Sequence, residues 1–212
     1  MTDSALSVRE RRRAATARTL ASTARVWTAE RGLTGYTVEE LCEAAGVSRR
    51  TFFNYFASKE DAVLGVPVDR NDEQLKAAFI HRGVGAPRSA SGLTHDVLDD
   101  LIELFRARWE LFEVTVTDVR ALFAALDREP RLHRRLFEHL REGEDADIAL
   151  VEQREGLAPG DPRASTLMHI FGAMNRIVAQ EYFETHEHGP VGLDTYTELL
   201  RERITIARTL LS

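Results

Sequence analysis

TVEELCEAAGVSRRTFFNYFASK, residues 37–59, holds three helix starts and one tight turn within 23 positions. Thr37 and Glu40 have the spacing of a capping box, in which hydroxyl and carboxylate satisfy the free amides at the start of a short helix. Ala45-Gly46-Val47 then supplies a turn, with Gly46 free to take a positive φ. Ser48 stands where it can cap the next helix, and Ser58 with Glu60 and Asp61 repeats the pattern for a third. Two short helices joined by a glycine-containing turn of three or four residues form a helix-turn-helix, whose second helix lies in the major groove of DNA.

The composition of that second helix, Arg49 to Tyr55, separates a reading helix from a core helix. Phe52 and Phe56, four apart, face inward with Leu41 and Val47, which leaves Arg49, Arg50, Thr51, Phe53, Asn54 and Tyr55 around the remaining surface. Arginine pairs with guanine edges or phosphates, asparagine with adenine, and threonine or aromatic groups with thymine methyls and sugars. Upstream, Leu20, Ala24 and Trp27 make one apolar helical stripe that ends at Gly32. Arg9, Arg11, Arg12, Arg13 and Arg18 crowd the start of that helix. Residues 1–60 carry ten basic and seven acidic side chains, net +3, against −6 for the chain, so a basic head precedes an acidic body. Such a cluster suits a duplex, though it also fits a solvated terminus.

Taken together, Gly46-Val47-Ser48, Thr51-Phe52-Phe53, Tyr55-Phe56 and Ser58-Lys59-Glu60 resemble the TetR-type regulators over roughly residues 14–64. The resemblance implies DNA-facing roles for Ser48, Arg49, Arg50, Thr51, Phe53, Asn54, Tyr55 and Lys59, with Thr37 near a phosphate. One departure is Phe53, where the family usually has tyrosine, so a ring hydroxyl for phosphate is missing. The implied protein is a homodimeric repressor on a palindromic operator of double-stranded DNA, released by a small, largely apolar effector. A DNA-bound regulator answering to a protein partner is the alternative.

Elsewhere the periodicity is helical almost throughout, without sustained strand-like alternation. The expected fold is all-α, with about nine helices: a three-helix DNA-binding domain over 1–66 and a helical effector-binding and dimerisation domain over 67–212. Breaks are expected at Gly32–Gly35, Gly83–Gly92, Pro130, Gly156–Pro162 and Gly189–Gly192. The last two helices carry unusually broad apolar arcs, which fit either a helix central to a monomer or an intermolecular four-helix bundle. The bundle is preferred because a twofold dimer matches two half-sites and because TetR-type proteins pair through these helices. The dimer set is Phe171, Met174, Val178, Tyr182, Leu200, Ile204, Ala207 and Leu211. For an effector pocket, which the resemblance implies, the candidates are Phe105, Trp109, Phe112, Arg120, Phe123, Phe137, His169 and Asn175.

Other functions find less support. The single cysteine, Cys42, lies inside a head helix without an adjacent histidine, and it excludes a disulfide framework. His186-Glu187-His188 and the acids Glu142, Glu144, Asp145 and Asp147 lack a fixed metal-ligand spacing and read as solvated. No catalytic residue, metal or cofactor is expected. The first ten residues lack the apolar core of a secretion signal and no stretch reaches membrane-span length, so a cytoplasmic protein without membrane association is expected.

Overall fold

The computed structural model describes residues 8–69, 72–112, 114–186, 189 and 191–211; of residues 8–11, Phe112 and Leu211 it describes the backbone alone. Among the described residues ten α-helices follow one another: α1 (Val8–Arg31), α2 (Val38–Ala44), α3 (Arg49–Phe53), α4 (Lys59–Leu64), α5 (Glu73–Arg82), α6 (Val97–Phe112), α7 (Val116–Arg128), α8 (Arg131–Glu155), α9 (Pro162–Thr185) and α10 (Leu193–Leu211). A 3-10 turn, Leu33–Gly35, sits between α1 and α2. The expected breaks at Gly32–Gly35, Gly83–Gly92 and Pro130 fall between helices, that at Gly156–Pro162 runs into the first residue of α9, and that at Gly189–Gly192 lies between α9 and α10, with Pro190 outside the described residues. Two further ones appear, at 65–72 and at 113–115, the second followed by a capping box between Thr115 and Asp118.

The chain forms two compact units, residues 1–70 with 111–139, and 71–110 with 140–212. The first departs from the expected contiguous head of 1–66, because α7 and the start of α8 belong to it. The reason is apolar burial. Leu20, Ala24, Leu33, Leu41, Phe52, Phe56 and Val63 share one core with Ala125, Leu126 and Leu132, and Leu122 and Leu136 pack against it. Glu129 adds a polar tie, its carboxylate accepting from the Leu33 amide at 2.7 Å. Asp61 at the start of α4 is held by Arg135 (2.6 and 2.8 Å), by His139 Nε2 (3.1 Å) and by Ser58 Oγ (2.8 Å).

In the second unit α9 and α10 pack together. Their buried stripes are Ala164, Met168, Phe171, Val178 and Tyr182 on α9, and Tyr196, Leu200 and Ile204 on α10. Two arginines, Arg108 half-buried and Arg154 buried, are each tied to two acids. Arg108 pairs with Asp72 (2.8 Å) and Asp147 (2.9 Å), so Asp147 is no solvated acid. Arg154, wholly enclosed, donates to Phe79 O (3.1 Å) and Thr94 Oγ1 (2.6 Å) and bonds to Asp100 and Glu155.

This burial corrects the expected dimer set. Phe171, Val178, Tyr182, Leu200 and Ile204 are covered within their own chain. A second stripe remains open on each helix: Ile170 and Ile177, with half-buried Met174, on α9, and Ile206 and Leu210 on α10. At 100° per residue it lies roughly 100° around α9 from the buried stripe. Broad arcs were therefore two stripes, and the expected residues mixed them. Ala207 is half-buried, and the side chain of Leu211 lies outside the described residues.

Candidate nucleic-acid interface

The helix-turn-helix is built by its caps. Thr37 Oγ1 accepts from the Glu40 amide (3.1 Å) while Glu40 accepts from the Thr37 amide (2.7 Å), closing the expected capping box. Hydrogen bonds from the Thr37 amide and from its hydroxyl (2.9 Å) hold the exposed Glu40 carboxyl below its ordinary pKa. Gly46 takes φ 67° in the turn. Ser48 Oγ accepts from the Thr51 amide (3.1 Å) and also bonds Thr51 Oγ1 (2.8 Å), starting α3. Ser58 caps α4 in the same way. The reading helix is shorter than expected, ending at Phe53, with Asn54 as its C-cap.

Two aromatic anchors set which way α3 faces. Phe52 and Phe56 are buried, their rings 6.0 Å apart, so the opposite face is turned out. Arg49, Arg50, Phe53 and Asn54 are exposed there, with Thr37 and Ser48 exposed at the preceding helix starts and Thr51 half-exposed. Phe53, 45 % exposed, stands edge-on to Phe52 at 5.2 Å and carries the Arg49 guanidinium 5.9 Å over its ring. Arg49 also pairs with Glu39 at 2.7 Å. The side chains of Arg50 and Asn54 have no hydrogen-bond or ion-pair partner among the described residues. An exposed arginine and asparagine left free by their own protein are the side chains that pair bidentately with guanine and adenine.

Two expected members of the set are engaged otherwise. Lys59 does not point away from the protein: its ammonium donates to the carbonyls of Leu33 and Tyr36 (2.9 Å to the latter) and lies over the Tyr36 ring. Tyr55 is half-buried against the head core, with the Arg13 guanidinium 5.8 Å over its ring. Sequence reasoning missed that Arg13, in the basic start of α1, stands beside the end of the reading helix. The side chains of Arg9 and Arg11 lie outside the described residues.

The expected effector residues are divided between the two units. Arg120, Phe123 and Phe137 belong to the first unit, where Phe123 is 55 % and Phe137 68 % exposed, so neither lines an enclosed cavity. Phe105, Trp109, His169 and Asn175 belong to the second. There Phe105 packs on Phe171 (4.8 Å), and Trp109 stacks with Phe183 (6.1 Å) and Tyr196 (5.7 Å). Asn175 accepts from the Tyr196 hydroxyl (2.9 Å), while His169 is exposed, 3.9 Å from Glu144. Burial pushes the Tyr196 hydroxyl well above its ordinary pKa, so it is a fixed donor. The side chain of Phe112 lies outside the described residues, as do Glu187 and His188. Among the described residues no group of three or more His, Cys, Asp or Glu is placed to hold a metal, and no helix is long and apolar enough to cross a membrane.

A glycine turn, two capped short helices and an outward face of arginine and asparagine define a helix-turn-helix protein of the DNA-binding class. Residues 14–65 match the family model described as bacterial regulatory proteins, tetR family. The chain is also 32 % identical over 153 residues to the HTH-type transcriptional regulator TcmR of Streptomyces glaucescens, covering 69 % of this chain and 64 % of that one. It therefore spans somewhat under two thirds of that relative's length. A solved structure named for a TetR-family transcriptional regulator of Mesorhizobium loti MAFF303099 aligns over 94 % of this chain and 98 % of its own, at 20 % identity and TM-score 0.44. Residues 14–65 are thus a TetR-family head, and TcmR, to which this chain is similar beyond that head, is by name a transcriptional regulator.

Proposed function

We propose that this protein binds a palindromic operator in double-stranded DNA as a homodimer, and acts as a cytoplasmic repressor. The observation that carries the reading is the division of α3: Phe52 and Phe56 are locked in the core, while Arg50 and Asn54 are exposed and unpartnered. Arg50 and Asn54 read bases, Phe53 and Thr51 meet thymine methyls or sugars, and Arg49, Ser48 and Thr37 serve the backbone. Lys59 acts indirectly, fixing the turn before α2 through Leu33 and Tyr36.

The dimer reading rests on the second apolar stripe. Ile170, Met174 and Ile177 on α9 with Ile206 and Leu210 on α10 give two adjacent helices an apolar face that their own chain leaves open. Four such helices form the bundle that a twofold axis requires. Release by a small, largely apolar ligand belongs to the same proposal, with Phe105 and Trp109 of the second unit as its aromatic surface. The exposed Phe123 and Phe137 favour the second reading, control by a protein partner.

The test is retention of genomic DNA fragments at near-physiological salt by the wild type, Arg50→Ala and Asn54→Ala, followed by sequencing. A shared palindrome, bound about ten- to a hundredfold more weakly by either variant, is expected. Retention without a common sequence, or indifference to both substitutions, would refute the assignment of α3.

A further inference from the structure

The first unit contains a cleft of about 200 Å³ that serves neither the reading helix nor the open stripe of α9 and α10. Its walls are small and apolar, among them Ala14, Ala17, Phe56, Leu64 and Val114, and its charged members are Arg18, Arg25 and Asp118. Arg25 is the unusual one. It is 8 % exposed, and its Nε donates to the Val63 carbonyl at 2.9 Å. Its Nη1 and Nη2 donate no hydrogen bond to any described residue.

Asp118 does not fill that role. Its nearest oxygen is 3.9 Å from Arg25 Nη1, beyond hydrogen-bond reach, and its carboxylate already accepts from the Thr115 amide (3.1 Å) and hydroxyl (2.7 Å). Burial lowers the Arg25 pKa, with the Asp118 charge acting against it. No wholly enclosed side-chain nitrogen or oxygen lacks a partner among the described residues, so the unpaired Nη groups keep access, and the cleft is the opening that Arg25 lines. The guanidinium is also fixed in place. Nη2 lies so close to Gly65 that a Cβ there would stand 2.3 Å away.

We propose that this cleft is a binding site for a small carboxylic acid, its carboxylate taken by the Nη donors of Arg25 and its apolar body by the alanine-lined wall. A planar guanidinium with two free edge donors matches a carboxylate. The volume lies below the roughly 300–1,000 Å³ of drug-sized sites, so the ligand has the size of a single-ring or short-chain acid. The site is independent of any effector pocket in the second unit, because every lining residue belongs to the first.

The experiment titrates the full-length protein with benzoate and with hexanoate, and with benzyl alcohol and hexanol as their uncharged counterparts. Binding is read by calorimetry and by the methyl NMR signals of Leu64 and Val114. Saturable one-to-one binding of at least one acid at millimolar concentration is expected, shifting those methyls, with the matching alcohol about tenfold or more weaker. Arg25→Met removes the donors and Ala17→Leu fills the cleft, and each should weaken the acid to a similar degree. Ala17→Leu decides the matter alone if Arg25→Met does not fold. No saturable binding by either acid, equal binding of acid and alcohol, or binding undiminished in folded Ala17→Leu would overturn the proposal.

Discussion

Residues 37–59 and the helix pair α9–α10 are both helical and both amphipathic, yet the buried face could be read from the first, Tyr55 and Lys59 apart, and not from the second. In α3 there is room for one buried face only: five residues, with Phe52 and the following Phe56 as anchors and Arg49, Arg50, Thr51 and Phe53 left around the rest. Each position then has one place to go. α9 and α10 are 24 and 19 residues long and each carries two apolar stripes. Periodicity shows that both are apolar but not which one the chain covers for itself, since a protomer core and a subunit interface are made of the same side chains.

The largest effects separate the stripes directly. Val178 is wholly buried and its neighbour Ile177 is 40 % exposed. Val178→Asp should unfold the second unit, because an unpaired carboxylate in that core is not tolerated. Ile177→Asp should leave the far-UV circular dichroism native and shift light scattering from dimer to monomer. Equal unfolding by both would erase the distinction between the stripes. The head offers the matching pair: Phe52→Ala should cost about 3–5 kcal/mol in denaturant melts, while Phe53→Ala, altering an exposed ring, should cost less than about 1 kcal/mol.

A smaller effect tests the tie between α4 and α8. Burial alone would raise the Asp61 carboxyl, but hydrogen bonds from Arg135, Ser58 and His139 hold its pKa below the ordinary value. A depressed carboxylate contributes stability that is fully present above the unfolded value, about 3.9, and is lost as pH falls below it. Asp61→Asn should therefore lower stability at neutral pH by about 1–3 kcal/mol and make the acid limb shallower. Unchanged acid melting in the variant would count against the tie. Smaller than the loss of that tie, Gly46→Ala should cost about 1 kcal/mol from its positive φ alone, since nothing stands within 4 Å of the added methyl.

What the sequence concealed follows the same division. Local chemistry was legible: the capping box at Thr37, the turn at Gly46 and the caps at Ser48 and Ser58 each depend on residues a few positions apart. Long-range partners were not. Lys59 reads as DNA-facing in the sequence, but the carbonyls of Leu33 and Tyr36 take its ammonium. The membership of α7 in the head had one local trace, the Thr115–Asp118 capping box that starts a new helix at 116, but nothing nearby tells which core Ala125 and Leu126 will join.

The way residues 111–139 rejoin the head sets a limit on modular exchange. A fragment ending at residue 70 would lack Ala125, Leu126 and Leu132, strip the floor from under Leu20, Leu33 and Phe52, and leave the Leu33 amide without Glu129. Grafting this DNA specificity onto another regulator at a single junction would thus transplant an incomplete core. A working chimera has to carry two separated pieces of chain, and recombination between relatives should succeed where both exchange together.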